Sequence, residues 1–83
     1  MDTTEEIAII YIWIKQTYKT SYLIYKIGRD YIIMYVGKYS QRVDITVEPE
    51  FVWVSVPGAM LCLKWSNPEL FNKMEKFING SQI

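Results

Sequence analysis

The chain predicts an α+β fold of two layers: a five-stranded antiparallel β-meander with an N-terminal helix and a C-terminal helix packed on one face, in the order α-βββββ-α. Three observations predict it. Residues 42–65, RVDITVEPEFVWVSVPGAMLCLKW, read as three short strands, because Val43 to Glu48 alternates with the period of two that marks a half-buried strand. Glu48-Pro49-Glu50 and Pro57-Gly58 punctuate the strands, proline fixing φ and glycine accepting positive φ. Helix-start signals stand at both ends of the chain, at Thr3-Thr4-Glu5-Glu6 and at Ser66-Asn67-Pro68-Glu69.

At the first start, Thr3 is the expected N-cap and Glu6 its capping-box partner, with acids at the positive end of the helix dipole. Ile7, Ile10, Ile14 and Tyr18 keep helical spacing with Tyr11 beside them, and Ile9, Ile12 and Trp13 form a second apolar stripe. A helix apolar nearly all round is expected to be buried on more than one side. The β-branched and aromatic run IAIIYIWI also fits a buried strand, and the cap decides for the helix.

Ser21–Ile27 and Tyr31–Val36 then predict a hairpin around Gly28-Arg29-Asp30 with a two-residue loop. That loop puts Leu23, Tyr25, Ile27, Ile32, Met34 and Val36 on one face, and Tyr22, Ile24, Lys26, Tyr31, Ile33 and Tyr35 on the other. A four-residue loop between Gly37 and Gln41 is expected to place Val36 opposite Val43. A Pro49-Glu50 turn pairs Val47 with Val52, and a Pro57-Gly58 turn pairs Val56 with Ala59. One face thereby collects Val43, Ile45, Val47, Val52, Val54, Val56, Ala59, Leu61, Leu63 and Trp65. The other collects Arg42, Asp44, Thr46, Glu48, Phe51, Trp53, Ser55, Met60, Cys62 and Lys64. Such a division is that of an antiparallel sheet with one strongly apolar face.

In the last segment Ser66 or Asn67 caps, Pro68 suits the first turn, and Glu69 completes a capping box with Ser66. Leu70, Phe71, Met74, Phe77 and Ile78 make the inward stripe, and Asn79-Gly80 is expected to end the helix in a left-handed stop. Eighty-three residues make one domain, 1–83, with no room for a second core.

Composition bounds the function. The chain is 51% hydrophobic and 16% aromatic, more apolar than one small core needs, which favours self-association as a homo-oligomer, most simply a dimer. Nine basic and nine acidic residues cancel, so net charge draws it neither to nucleic acid nor to an acidic membrane. The distribution is uneven. Residues 15–42 hold Lys15, Lys19, Lys26, Arg29, Lys38 and Arg42 against Asp30 alone, and carry six of the seven tyrosines. A single cysteine, Cys62, gives no disulfide framework. The acidic N-terminus lacks the basic stretch of a signal peptide, and the longest apolar run, Ile7–Ile14, is far short of the roughly 18 residues of a membrane span. An intracellular, cytoplasmic protein without membrane attachment is expected.

Catalysis is disfavoured. The chain has no histidine, which removes the commonest general base and metal ligand. One cysteine cannot make a zinc site, and Cys62 beside Lys64 has no partner base, so it reads as a small strand hydrophobe. Asp44, Glu48 and Glu50 read as a solvated face rather than a cation site. The glycines are turn or cap residues, with no phosphate loop. No enzyme, no metal and no cofactor is expected.

Binding is the better reading. The less apolar sheet face projects Tyr22, Tyr31, Tyr35, Phe51 and Trp53 with Lys26, Arg42 and Lys64, while Arg29 and Lys38 lie in the adjoining loops. Aromatic rings interleaved with bases form a stacking platform for single-stranded DNA or RNA, with the loop cations at phosphates. The same composition suits a protein interface, making the chain a homodimeric adaptor or an inhibitor of a larger protein. Tyrosines paired across strands for stability alone are the third reading.

Strands followed by WSNPELFNKMEKFI, within residues 60–78, resemble the end of the transcriptional coactivator family called positive cofactor four. The resemblance implies a dimeric single-stranded-DNA binder made of a curved sheet and a C-terminal helix. The N-terminal helix, the fifth strand and the neutral charge depart from that pattern.

Overall fold

The structure, a computed structural model, describes residues 2–80. Helix α1 (Thr4–Tyr18) is followed by β1 (Tyr22–Ile27), β2 (Tyr31–Val36), β3 (Gln41–Val47), β4 (Phe51–Val56), β5 (Ala59–Lys64) and helix α2 (Leu70–Gly80). The strands form one open antiparallel sheet in the order β1-β2-β3-β4-β5. Both helices cover the same sheet face. Ile7, Ile10 and Ile14 of α1, and Leu70, Met74 and Ile78 of α2, enter one core with Ile32, Met34, Val36, Val43, Ile45, Val47, Val52, Val54, Val56 and Leu63. The sheet side of that core is mostly Val and Ile, whose branched side chains stand well on a pleated surface. Among the described residues, no helix is long and apolar enough to cross a membrane.

The α-βββββ-α order and the antiparallel meander expected from the sequence are those found. The two-residue turns at Pro49-Glu50 and Pro57-Gly58 pair Val47 with Val52 and Val56 with Ala59, Gly58 taking the positive φ of 86° that glycine alone accepts without strain.

Five expectations need correction. First, Val36 stands opposite Gln41, and Met34 opposite Val43. The loop 37–40 is too short to bring Val36 to Val43, and the two-residue difference preserves facing.

Second, β1 is bulged. Its turn half pairs as expected, Ile27 with Ile32 and Lys26 with Ile33, but Ile24 then pairs with Met34, leaving Tyr25 as an extra residue. A bulge reverses the parity of everything before it. Tyr22 and Ile24 therefore pack against the core, while Leu23 and Tyr25 are 64% and 67% exposed.

Third, the capping box at α1 does not form. The buried Thr3 hydroxyl donates to the Arg29 carbonyl at 2.7 Å, tying the helix start to the first hairpin. Thr3 keeps the expected N-cap position, its carbonyl accepting from the Ile7 N–H at 3.0 Å, while the side-chain bonds come from Asp2, whose carboxylate accepts from the Thr4 N–H at 3.0 Å and from the Thr4 hydroxyl. Those bonds, with the nearby Arg29 charge, hold the Asp2 carboxyl below its ordinary pKa.

Fourth, α1 is buried along one side only, and Ile9 and Ile12 are exposed. Two helices lying on one sheet face leave each with an outer side, whatever its composition.

Fifth, Asn67 is the one of the two expected caps that serves α2, its side-chain oxygen accepting from the Glu69 N–H at 2.8 Å, but the capping box with Ser66 does not form, and the Glu69 carboxylate accepts from Asn72 instead. The helix includes Asn79 and Gly80 instead of stopping at them.

Candidate binding face

Among the described residues, nothing covers the sheet face turned away from the helices. Alternation brings out Tyr31, Ile33 and Tyr35 from β2, and Arg42, Asp44 and Thr46 from β3. Phe51, Trp53 and Ser55 come from β4, and Met60, Cys62 and Lys64 from β5. Register aligns them in rows. Tyr31, Thr46, Trp53 and Cys62 face one another across four strands; Ile33, Asp44, Ser55 and Met60 form the next row; Leu23, Tyr35 and Arg42 form a third.

The aromatics are held by their neighbours. Tyr25 packs edge-on against Tyr35, ring centroids 6.2 Å apart and planes at 83°, the arrangement the ring quadrupoles favour. The Tyr31 ring lies over Gly28, where a Cβ would run into it, and the Gly28 N–H donates to the Tyr31 carbonyl at 2.8 Å. A glycine covered by a cross-strand ring is how a bare stretch of edge backbone acquires packing. The Trp53 indole N–H donates to the Glu48 carboxylate. All three anchored rings, of Tyr31, Tyr35 and Trp53, are half-buried.

Charge on this face is nearly balanced. Arg42 grips Asp44 through Nε at 2.9 Å and Nη2 at 3.2 Å, the one ion pair among the described residues. That carboxylate pushes the Arg42 pKa up, so the guanidinium is charged, with two of its five N–H donors already engaged. Glu48 holds Trp53. Lys26 on β1 and Lys64 on β5 are exposed, stand at opposite edges of the sheet, and take part in no ion pair among the described residues.

The structure thus brings together Lys26, Tyr31, Tyr35, Arg42, Trp53 and Lys64 from the residues singled out in the sequence. It does not bring Tyr22, which the bulge turns to the core side. Arg29 sits in the β1–β2 turn, bordering a polar hollow with Asp2, Thr3, Thr4 and Asp30, at the rim rather than on the face. Leu23 and Tyr25 were assigned inward by simple alternation and belong here. The sequence carried a signal for them: Ile24 and Lys26 share strand parity, and only an extra residue between them sends the isoleucine inward and the lysine outward.

Among the described residues, no three His, Cys, Asp or Glu side chains are placed to hold a metal ion. Comparison with protein-family models, with curated proteins and with solved structures returned no match to this chain.

Proposed function

We propose that this chain is a non-enzymatic binding module whose open sheet face receives a protein partner. The observation that carries this reading is the combination of exposed apolar groups, Leu23, Tyr25 and Met60, with aromatic rings fixed in place by Tyr25–Tyr35 packing and the Trp53–Glu48 bond. Rigid aromatic anchors amid apolar surface, with a charged rim, are the anatomy of protein interfaces. The matching partner presents an apolar patch bordered by carboxylates for Lys26 and Lys64.

A single-stranded nucleic acid is the second reading, favoured by the Tyr31–Trp53 row lying between those two unpaired lysines. Against it, Arg42 is already bonded to Asp44, and Asp44 and Glu48 would face a phosphate backbone.

The test reads tryptophan fluorescence, to which Trp53 on the open face contributes beside Trp13 and Trp65. Titration with a mixed-sequence single-stranded oligonucleotide at low salt is expected to leave tryptophan fluorescence unchanged. In parallel, the immobilised chain is expected to retain a protein in stoichiometric amount that the Tyr35→Ser/Trp53→Ser variant releases. Saturable quenching that weakens steeply with salt would transfer the face to nucleic acid. Retention indifferent to both substitutions would remove the face from the function altogether.

A further inference from the structure

Helix α1 turns Ile7, Ile10 and Ile14 into the core. At about 100° per residue, Ala8, Ile9 and Ile12 fall on the outer side, where Ile9 is 42% and Ile12 53% exposed. Isoleucine is among the residues most often buried, and here two of them, spaced i,i+3, stand side by side in solvent. The companion helix on the same sheet face shows what an ordinary outer side looks like: α2 presents Asn72, Lys73, Lys76 and Asn79.

The patch has a charge direction. Exposed Glu5 bounds it toward the N-terminus, and exposed Lys15, Gln16 and Lys19 bound it toward the C-terminus. Lys15 also lies over the Tyr11 ring, 5.3 Å from its centroid. The helix macrodipole runs with the opposite sign, positive at the acidic end. A covering helix must therefore offer isoleucine-sized groups at its middle and the reverse order of charge along its length. A second copy of α1 laid antiparallel meets both requirements at once.

We propose that α1 pairs antiparallel with α1 of a second copy of this chain, about a two-fold axis crossing the helix between Ile9 and Ile12. Ile9 of each copy meets Ile12 of the other, and Ala8 lets the backbones approach. Each Glu5 comes opposite Gln16 and within a helical turn of Lys15 and Lys19 of the other copy. Such pairing is isologous, as two-fold contacts are. One helix against its copy is at the small end of interfaces, below the roughly 800 Å² per partner of stable ones, so the dimer forms with rising concentration rather than permanently. Because the helix layers meet, the two open sheet faces point away from each other, and the dimer carries two receiving faces. The inference does not depend on what those faces bind.

Light scattering or sedimentation over about 10 μM to 1 mM tests it. The wild-type chain is expected to pass from monomer to dimer. Ile9→Asp and Ile12→Asp are each expected to raise the dissociation constant at least about tenfold with an unchanged circular dichroism spectrum. Glu5→Lys is expected to weaken the dimer, and Glu5→Lys/Lys15→Glu/Lys19→Glu to restore it, since the charge direction is then reversed in both copies. A chain monomeric throughout that range overturns the proposal. So does a dimer indifferent to Ile9→Asp and Ile12→Asp, and so does a charge exchange without recovery. A dimer lost instead on Tyr25→Ser or Trp53→Ser would move the second copy to the sheet face.

Discussion

Helices α1 and α2 lie on the same sheet face and solve the same burial problem in the same way. Each sends in three residues on one side, Ile7, Ile10 and Ile14 from α1 and Leu70, Met74 and Ile78 from α2. Their outer sides differ at mid-helix: Ile9 and Ile12 on one, Asn72, Lys73 and Lys76 on the other. Their starts differ as well. Each has a local side-chain bond, from Asn67 at α2 and from Asp2 at α1, but α1 is also anchored through Thr3 to a turn 26 residues away. Inward residues respond to the demands of the core, which both helices share. Outward residues are free of that demand, and the pairing proposed for α1 rests on that difference.

The inner equivalence is tested most strongly by truncation. Ile10→Ala and Met74→Ala remove groups that are fully buried, and each is expected to destabilise by about 2–5 kcal/mol, read from urea unfolding. A loss confined to one helix would mean that the other is an accessory to the sheet.

The anchors come next. Thr3→Val leaves the Arg29 carbonyl without its buried donor, with an expected loss of about 1–3 kcal/mol. Asn67→Ala removes an exposed cap and is expected to cost about 1 kcal/mol. The reverse ranking would show that the long-range tie between α1 and the hairpin contributes nothing beyond a local cap.

Alkaline pH isolates the C-terminal turn of α1. The Tyr18 hydroxyl is buried without a hydrogen-bond partner, and burial, helped by the Glu75 charge, raises its pKa from 10.0 to about 12. The folded chain holds this proton to about pH 12, while the unfolded chain releases it near 10. Stability present below pH 10 is thus lost between 10 and 12. Tyr18 is only half-buried, so solvent screening reduces the loss to about 1–2 kcal/mol. Tyr18→Phe is expected to abolish that decline and to remove the tyrosinate absorbance step near pH 12. A decline that survives the substitution would assign it elsewhere.

The smallest effects on stability belong to the outer sides. Ile9→Asp and Lys73→Asp are each expected to change unfolding free energy by about 0.5 kcal/mol or less. Only the first is expected to change self-association. An α1 substitution as costly as Ile10→Ala would mean that the outer isoleucines serve the fold after all.

Much of this architecture was legible in the sequence because β3, β4 and β5 each alternate regularly and two-residue turns carry the facing from one to the next, and α2's stripe from Leu70 to Ile78 admits one orientation. Simple alternation fails in β1 because it has no symbol for an extra residue; Tyr25 is recognisable only from the conflict between Ile24 and Lys26. Thr3 stands at the N-cap that local grammar assigns it, but its hydroxyl goes to the Arg29 carbonyl, an acceptor set by tertiary packing. On the open face, residue types were readable, but their mutual engagement was not. That Arg42 is engaged by Asp44 and Trp53 by Glu48 depends on which strands and rotamers meet, and this is what turns a seemingly basic surface into a nearly balanced one.

The bulge at Tyr25 has a consequence for how this strand tolerates length change. Because the residues on either side keep their partners, Ile24 with Met34 and Lys26 with Ile33, excising Tyr25 alone would heal β1 into a regular strand without turning any other side chain. Excising Leu23 or Ile24 instead would force the remaining residues to choose between keeping Tyr22 inward and keeping Tyr25 outward. Tyr25 is in effect a single codon that the fold can lose. Its absence would straighten an outermost strand into a template for another chain and take from Tyr35 the ring that braces it.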